Sequence, residues 1–291
     1  MSVAAESVLP EINRVHGLRY ALRGRCVGGM QGGAWLLADS EGRPAILKLQ
    51  VDKPGSRRPW TVLKAVNRMK TAGYPTPRWI VAGVSEAGIR YHVQEFVEGE
   101  PSSPLTADTA ELLIEVIERH TGLDPDPTND WSIYVDSVVG GHLRGGSRAF
   151  LRGFRPPGDD LLAAFDRVLA EYGPVRLPAG DLVHGDLNTC NVLLNDGRVS
   201  GVIDIDAFGS GTRAIDYAWL LREAYAMDAE PEAVRRVRRA GEAVAGPEVL
   251  AHCVAATAFD IVRFQVRHGP RQVPALLQRL RRLADDLSEP L

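Results

Sequence analysis

The sequence predicts an α+β protein, with a mainly antiparallel β region first and a mainly helical region after it. Short strand-like runs set apart by glycine-rich or charged turns dominate residues 20–97, and helical spacing dominates from residue 108. Between residues 182 and 207 the pattern returns to strands around a single Asp-Gly turn. Within the β-rich region, residues 20–26, 34–38 and 45–50 read as strands. Residues 60–72 carry Val62, Leu63, Val66 and Met69 at helical spacing, and Gly73 is a helix stop. Pro75 and Pro77 keep that helix from continuing, and residues 79–84 and 91–97 read as further strands. Glu98-Gly99-Glu100-Pro101 then punctuates the chain, so a boundary is expected between residues 1–98 and 99–291. Beyond it, residues 108–120 and 160–172 read as helices, 123–155 as irregular chain rich in Gly and Asp, and the chain from Asp216 onward as several helices.

A length of 291 residues supplies ample apolar surface for a core. The 34 Lys and Arg residues against 37 Asp and Glu give a net charge of -3, which argues against a general nucleic-acid binder. Three separated cysteines, Cys26, Cys190 and Cys253, form no C-x-x-C pair, which fits a reducing, cytoplasmic setting without structural zinc. The N-terminus has no basic head followed by an apolar run, so no secretory signal is expected. The longest apolar stretch, 243–262, is broken by Pro247, Glu248, His252 and Asp260, so no membrane span is expected.

The segment that carries chemistry runs Val183-His184-Gly185-Asp186-Leu187-Asn188-Thr189-Cys190-Asn191. The runs 192–195 and 198–206 follow, joined by Asp196-Gly197, a pair that favours a type I′ hairpin. Counting outward from that turn brings Asn191 level with residues 202–204, so Asn191 and Asp204 are expected at one open end, with Asp186 just before them. Carboxylate and amide oxygens are hard ligands suited to Mg²⁺, and a carboxylate on a loop accepts a proton from an attacking hydroxyl. Taken singly, each of these residues is also a common turn residue. The ordered set with a hairpin between its halves is what points to a site.

This constellation resembles the catalytic loop and metal-binding Asp of the protein-kinase-like fold. It is most similar to the aminoglycoside phosphotransferase family, with H-x-D-x-x-x-x-N at 184–191 and I-D-x-D at 203–206. The specific portion of the resemblance covers residues 182–219. It implies two lobes, 1–98 binding the nucleotide and 99–291 carrying catalysis and the acceptor. It implies a transfer of the γ-phosphoryl group of Mg-ATP or Mg-GTP to a hydroxyl of a small polar molecule, above all an aminoglycoside or similar cationic antibiotic. Asp186 would then be the base, Asn191 and Asp204 the Mg²⁺ ligands, and His184 a brace for the loop. Asp206 would be a supporting carboxylate or a substrate contact. Asp216, in Ala214-Ile215-Asp216-Tyr217, would tie the next helix to the loop backbone.

The same resemblance makes Lys48, in Ala45-Ile46-Leu47-Lys48-Leu49, the lysine that reaches the α- and β-phosphates. Gly28-Gly29-Met30-Gln31-Gly32-Gly33 becomes the loop over the nucleotide, with Met30 and Gln31 at its tip. The Glu95 carbonyl and the Val97 N–H become the contacts to the base. One family feature is missing: residues 60–72 contain no glutamate to aim Lys48, and between Lys48 and Gln94 the only carboxylates are Asp52 and Glu86. Either Lys48 is aimed by another group, with Asp204 the direct candidate, or the first lobe is assigned wrongly. The acidic residues Asp124, Asp126, Asp130, Asp136, Asp159, Asp160, Glu223, Asp228 and Asp260 are candidates for ammonium groups, although each alone also fits a solvated face. Two other readings stand beside the antibiotic kinase: a metabolic kinase for a sugar, choline-like or amino-acid alcohol, and a nucleotide-binding regulatory module without catalysis.

Overall fold

A computed structural model describes residues 5–26, 33–53, 55–142 and 146–289. The chain forms two compact units: Met1–Gly99 with Ser200–Asp206, and Glu100–Val199 with Ala207–Leu291.

The first unit is a five-stranded antiparallel sheet with two helices. Helix α1 (Ala5–His16) precedes strands β1 (Ala21–Arg25), β2 (Ala34–Ala38) and β3 (Pro44–Val51). Helix α2 (Pro59–Thr71) and strands β4 (Trp79–Val84) and β5 (Ile89–Glu95) follow, and the sheet order is β1-β2-β3-β5-β4. The sequence pattern predicts α2 alone as a helix here; α1 is an addition. It buries Val8, Leu9 and Ile12, and these join Leu37, Leu47, Tyr91 and Val93 in one apolar cluster. The period of two then decides the fate of β3: Ala45, Leu47 and Leu49 enter that core, and Lys48 and Gln50 fall on the opposite face. Helix α2 starts at Pro59 and buries Val62, Val66 and Met69. Asn67 fixes it to β4: its Nδ2 donates to the Trp79 carbonyl at 2.8 Å and its Oδ1 accepts from the Trp79 N–H at 2.9 Å.

The second unit begins with β6 (Glu100–Pro101) and α3 (Ala107–Glu118), the latter closed by a capping box between Thr106 and Thr109. Residues 123–155, expected to be irregular, contain two helices, α4 (Trp131–Gly140) and α5 (Ser147–Gly153). The caps explain α4. Asp130 Oδ1 accepts from the Ser132 N–H at 2.8 Å, and Gly141 ends the helix at φ 69°. Its interior, Trp131-Ser132-Ile133-Tyr134-Val135, is aromatic and β-branched, so propensity alone points toward a strand. Helix α6 (Pro157–Tyr172) and strand β7 (Asp181–Val183) lead into the functional loop. Strand β8 (Val192–Asn195) runs antiparallel to β6 and is followed by β9 (Arg198–Val202). Between them Asp196 and Gly197 both have positive φ, 50° and 70°, as a type I′ turn requires.

Strand β10 (Gly209–Gly211) pairs with β7, and α7 (Ala214–Ala226), α8 (Pro231–Ala245), α9 (Pro247–His268) and α10 (Val273–Leu287) complete the unit. Among the described residues α9 is the one helix long and apolar enough to cross a membrane. Its Leu250, Val254, Phe259 and Val262 are buried within the unit, the position of a core helix. An ion-pair knot joins α3 and α7: Arg213 contacts Glu118 at 3.1 Å and Asp181 at 2.9 Å, and the Tyr217 hydroxyl donates to Glu118 at 2.7 Å.

The burial of α1 predicts the effect of its removal from the sheet core. Ile12→Ala should destabilise the protein by about 2–4 kcal/mol through lost burial and a residual cavity. Urea denaturation followed by fluorescence checks this; a change under about 0.5 kcal/mol would show that α1 does not hold the sheet.

Candidate active site

The functional loop of the second unit lies between β7 and β8. Its backbone is anchored by α7: Asp216, buried in the first turn of that helix, accepts from the His184 N–H at 2.8 Å and from the Gly185 N–H at 3.1 Å. His120 Nδ1 lies 3.1 Å from the same carboxylate. Gly185 sits at φ 78°, and a Cβ there would stand 2.1 Å from Cζ2 of Trp131, so both the turn and the indole on top of it require glycine. His184 is buried, and its Nδ1 accepts from the Asp186 N–H at 3.3 Å, a bracing contact within the loop.

Asp186 is held by two amides. Asn188 Nδ2 donates to its carbonyl at 3.0 Å and to Oδ1 at 3.3 Å. Asn191 Nδ2 donates to the same carbonyl at 2.8 Å. This orientation matters chemically. With the amide nitrogen of Asn191 committed to Asp186, its oxygen is the atom that remains to bind a cation. Asn188, whose Oδ1 also accepts from the Cys190 N–H at 3.0 Å, is a loop-organising residue that the sequence pattern does not single out. Below the loop, Glu223 of α7 accepts from the Thr189 N–H at 3.0 Å and from the Thr189 hydroxyl at 2.9 Å. Burial pushes the Glu223 carboxyl up, and the Thr189 contacts oppose that. Partial burial, with the charges of Glu223 and Asp186, raises the Cys190 thiol, so it remains a thiol at neutral pH and not a nucleophile.

In the first unit the predicted residues meet on one face of the sheet. Lys48 Nζ lies 2.7 Å from Asp204 Oδ1, which answers the absence of a helix glutamate: the lysine is aimed by Asp204 itself. Asp204 has φ 60°, an uncommon conformation for a residue other than glycine, and it marks a constrained position. Asp206 is fixed alongside. Gln50 Nε2 donates to its Oδ2 at 3.1 Å, and Arg57 Nη2 donates to its backbone carbonyl at 2.7 Å. His92, the cross-strand partner of Lys48, lies 3.8 Å from Asp206 and stacks on Trp79 with centroids 3.6 Å apart. Burial pulls the His92 pKa down to about 4 against the pull of Asp206, so the ring is neutral at pH 7 and makes no ion pair there. Gln50 and His92 are not legible in the sequence because nothing local marks them.

Glu95 ends β5, where its N–H donates to the Arg78 carbonyl at 2.9 Å and its Oε2 accepts from the Arg78 N–H at 3.1 Å. Val97 follows and packs its side chain on Gly201, where a Cβ would stand 2.7 Å from Val97 Cγ1. Met30 and Gln31 lie outside the described residues. Their loop is flanked by a paired base, with the Cys26 N–H donating to the Ala34 carbonyl at 3.0 Å.

Each unit offers a divalent cation a hard oxygen donor, the Asp204 carboxylate in the first and the Asn191 amide oxygen in the second. Among the described residues no group of three or more His, Cys, Asp or Glu forms a cage for a metal. Such donors suit Mg²⁺, which is held by one or two protein groups together with phosphate oxygens. Several acidic candidates for an ammonium group are occupied. Asp228 pairs with Arg282 at 2.8 Å, Asp159 pairs with Arg155 at 3.1 Å, and Asp260 accepts from the hydroxyls of Tyr134 and Ser147.

The family model described as "phosphotransferase enzyme family" matches residues 34–253. Among solved structures, an aminoglycoside-3'-phosphotransferase of type VIII is 22% identical, covering 87% of this chain and 98% of that chain at a TM-score of 0.57. A thermostable mutant of aminoglycoside phosphotransferase APH(4)-Ia, in ternary complex with ADP and hygromycin B, is 15% identical, covering 98% and 100% at 0.65. The macrolide 2'-phosphotransferase MphH from Brachybacterium faecium is 17% identical, covering 94% and 97% at 0.56. No curated protein sequence matches the chain. At these identities the likeness establishes the fold, the kinase-like α+β class that the sequence predicts.

The neutral, buried His92 has a thermodynamic signature. Its folded pKa, about 4, lies below the unfolded value of about 6.5. Above pH ~6.5 neither state takes the proton, and its contribution to stability is complete. As pH falls toward ~4 only the unfolded state takes it, so stability is lost through that window. His92→Phe, which keeps an aromatic ring against Trp79, should show a smaller fall in urea midpoint from pH 7.5 to 4.5 than the parent protein. Equal falls in both would mean that His92 titrates normally in the fold.

Proposed function

We propose, from the premise that the chain belongs to the phosphotransferase enzyme family, that it moves the γ-phosphoryl group of Mg-ATP or Mg-GTP onto a hydroxyl of a small polar antibiotic, an aminoglycoside or a relative of one. The observation that carries this reading is the Asp186–Asn191 pair. One loop presents a carboxylate and, 2.8 Å from that residue's carbonyl, an amide turned so that its oxygen is the remaining donor. Asp186 acts as the base: it orients the acceptor hydroxyl and takes its proton as the oxygen attacks phosphorus. Asn191 and Asp204 would hold Mg²⁺, which neutralises phosphate charge during an in-line transfer. Lys48, already aimed by Asp204 at 2.7 Å, would bind the α- and β-phosphates. Met30 and Gln31 would cover the phosphates, and the backbone of Glu95 and Val97 would meet the base. His184 and Asp216 brace the loop. Asp206, held by Gln50 and Arg57, would steady the metal-binding segment.

The donor is read as ATP in the first place because solved neighbours are described in complex with ADP or AMP-PNP. A nucleotide donor in turn puts the reaction in the cytoplasm. The antibiotic class is supported by the neighbours' own descriptions, aminoglycoside and macrolide phosphotransferases. The reading as a regulatory module draws on the missing helix glutamate, and the Lys48–Asp204 contact weighs against it. Catalysis here is positioning and electrostatics, so rigid loop contacts are worth more than any single reactive group.

Two substitutions separate the roles. Asp186→Asn should lower kcat by roughly 10²–10⁴-fold with Mg-ADP affinity unchanged, measured by turnover against an aminoglycoside panel and by calorimetry. Near-normal turnover would remove Asp186 from the role of base. Asp204→Ala should abolish turnover and weaken Mg-nucleotide binding as well; an unchanged nucleotide Kd would contradict its place at the metal.

A further inference from the structure

Helix α7 carries two more side chains, Trp219 and Arg222, that the loop contacts above do not use. They stand one turn apart, with the guanidinium carbon 4.2 Å from the centre of the indole ring. Arg222 is 6% exposed. Its Nε and Nη1, and the indole Nε1 of Trp219, are buried and have no hydrogen-bond acceptor among the described residues. Three buried donors on one helix face are costly unless something accepts from them, and folded proteins rarely leave such groups unmatched.

The neighbouring carboxylates make no hydrogen bond to these donors and are turned to other partners. Glu223 accepts twice from Thr189, and Asp260 accepts from Tyr134 and Ser147. Burial pulls the Arg222 guanidinium down, and the charges of Glu223, Asp186 and Asp260 oppose that. An anionic ligand would meet those carboxylates and be repelled. What the three N–H groups lack is a neutral oxygen with lone pairs. Asp216 and Glu223, on either side of Trp219 along the same face of α7, both hold the loop that carries Asp186, so the cluster lies against that loop, where a second oxygen of the acceptor would lie.

We propose that Trp219 and Arg222 are specificity-determining donors of the acceptor site, holding a neutral oxygen (a hydroxyl, ring ether or carbonyl) next to the hydroxyl that Asp186 activates. The acceptor is then a polyhydroxylated, sugar-like molecule with two adjacent oxygens at the reacting position, one phosphorylated and one recognised. This rests on Asp186 as the base. Amines on the acceptor bind elsewhere, since this wall offers donors and not acceptors.

The test uses the full chain, its Trp219→Phe and Arg222→Lys variants, and three probes: hygromycin B, erythromycin and methyl glucoside. Trp219→Phe deletes one donor and keeps the ring. Arg222→Lys keeps the charge and deletes the Nε donor and the fork. Both should raise KM for a phosphorylated probe at least about tenfold, with a smaller change in kcat and an unchanged Mg-ADP Kd. With no ligand present, Trp219→Phe should hold or raise Tm, because the donor it removes has no partner among the described residues. A Tm fall beyond about 4 °C would show that the indole N–H is bonded within the protein, and would overturn the proposal. So would a kcat loss at constant KM. Failure of the parent protein on all three probes with Mg-ADP binding intact would overturn the sugar-like acceptor. Failure of Mg-ADP binding itself would instead strike the nucleotide assignment.

Discussion

The second unit is organised around one buried carboxylate. Asp216 is fully removed from solvent, a costly position for a charge unless its lone pairs are all used. They are used here by two successive backbone N–H groups, His184 and Gly185, with His120 at the end of α3 on the other side. Asp216 also sits in the first turn of α7, where the helix dipole favours negative charge. The loop, α3 and α7 are therefore locked through a single side chain. Trp131 closes the arrangement from α4 by lying where any Cβ on Gly185 would be. The left-handed Gly185, with its own N–H and that of His184 both anchored, is what presents Asp186 at a fixed angle.

The first unit solves a different problem, how to aim a lysine without a helix glutamate. The answer is economical in residues but makes Asp204 serve two ends: it draws Lys48 to 2.7 Å and is itself a candidate metal ligand. A half-exposed ion pair of this kind adds little to stability, so its value lies in geometry. His92 shows why the neighbourhood has to be controlled. It stands directly across from Lys48 on β5, where a second positive charge would be unfavourable. Stacking on Trp79 and burial keep the ring neutral, so Lys48 is the cation that faces Asp204.

What the sequence discloses follows from range. The loop residues Asp186 and Asn191 interact across five positions, and the Asp196-Gly197 turn is a property of two residues. Asp216 is visible because its spacing from the loop belongs to a known pattern. Helix α1 is not: it is short, contains Pro10, and owes its stability to burial of Ile12 on a sheet built later in the chain. Helix α4 is hidden because Ile133, Val135 and Val138 carry strand propensity, while its cap residues Asp130 and Gly141 look like ordinary loop residues. The partner of Lys48 lies 156 positions away, and no local pattern encodes such a distance.

The acidic residues of the helical region, candidates for a cationic acceptor, differ in what the fold already asks of them. A carboxylate is available to a ligand only when the fold has not claimed its oxygens. Glu223 is claimed by Thr189, Asp260 by Tyr134 and Ser147, and Asp228 by Arg282. Glu223 and Asp260 serve as internal acceptors, whereas Asp228 is held in an exposed ion pair. Trp219 and Arg222 are among the buried side chains whose donors have no acceptor among the described residues. Under the proposed assignment, recognition by such a wall would depend on oxygens of the acceptor rather than on its amines.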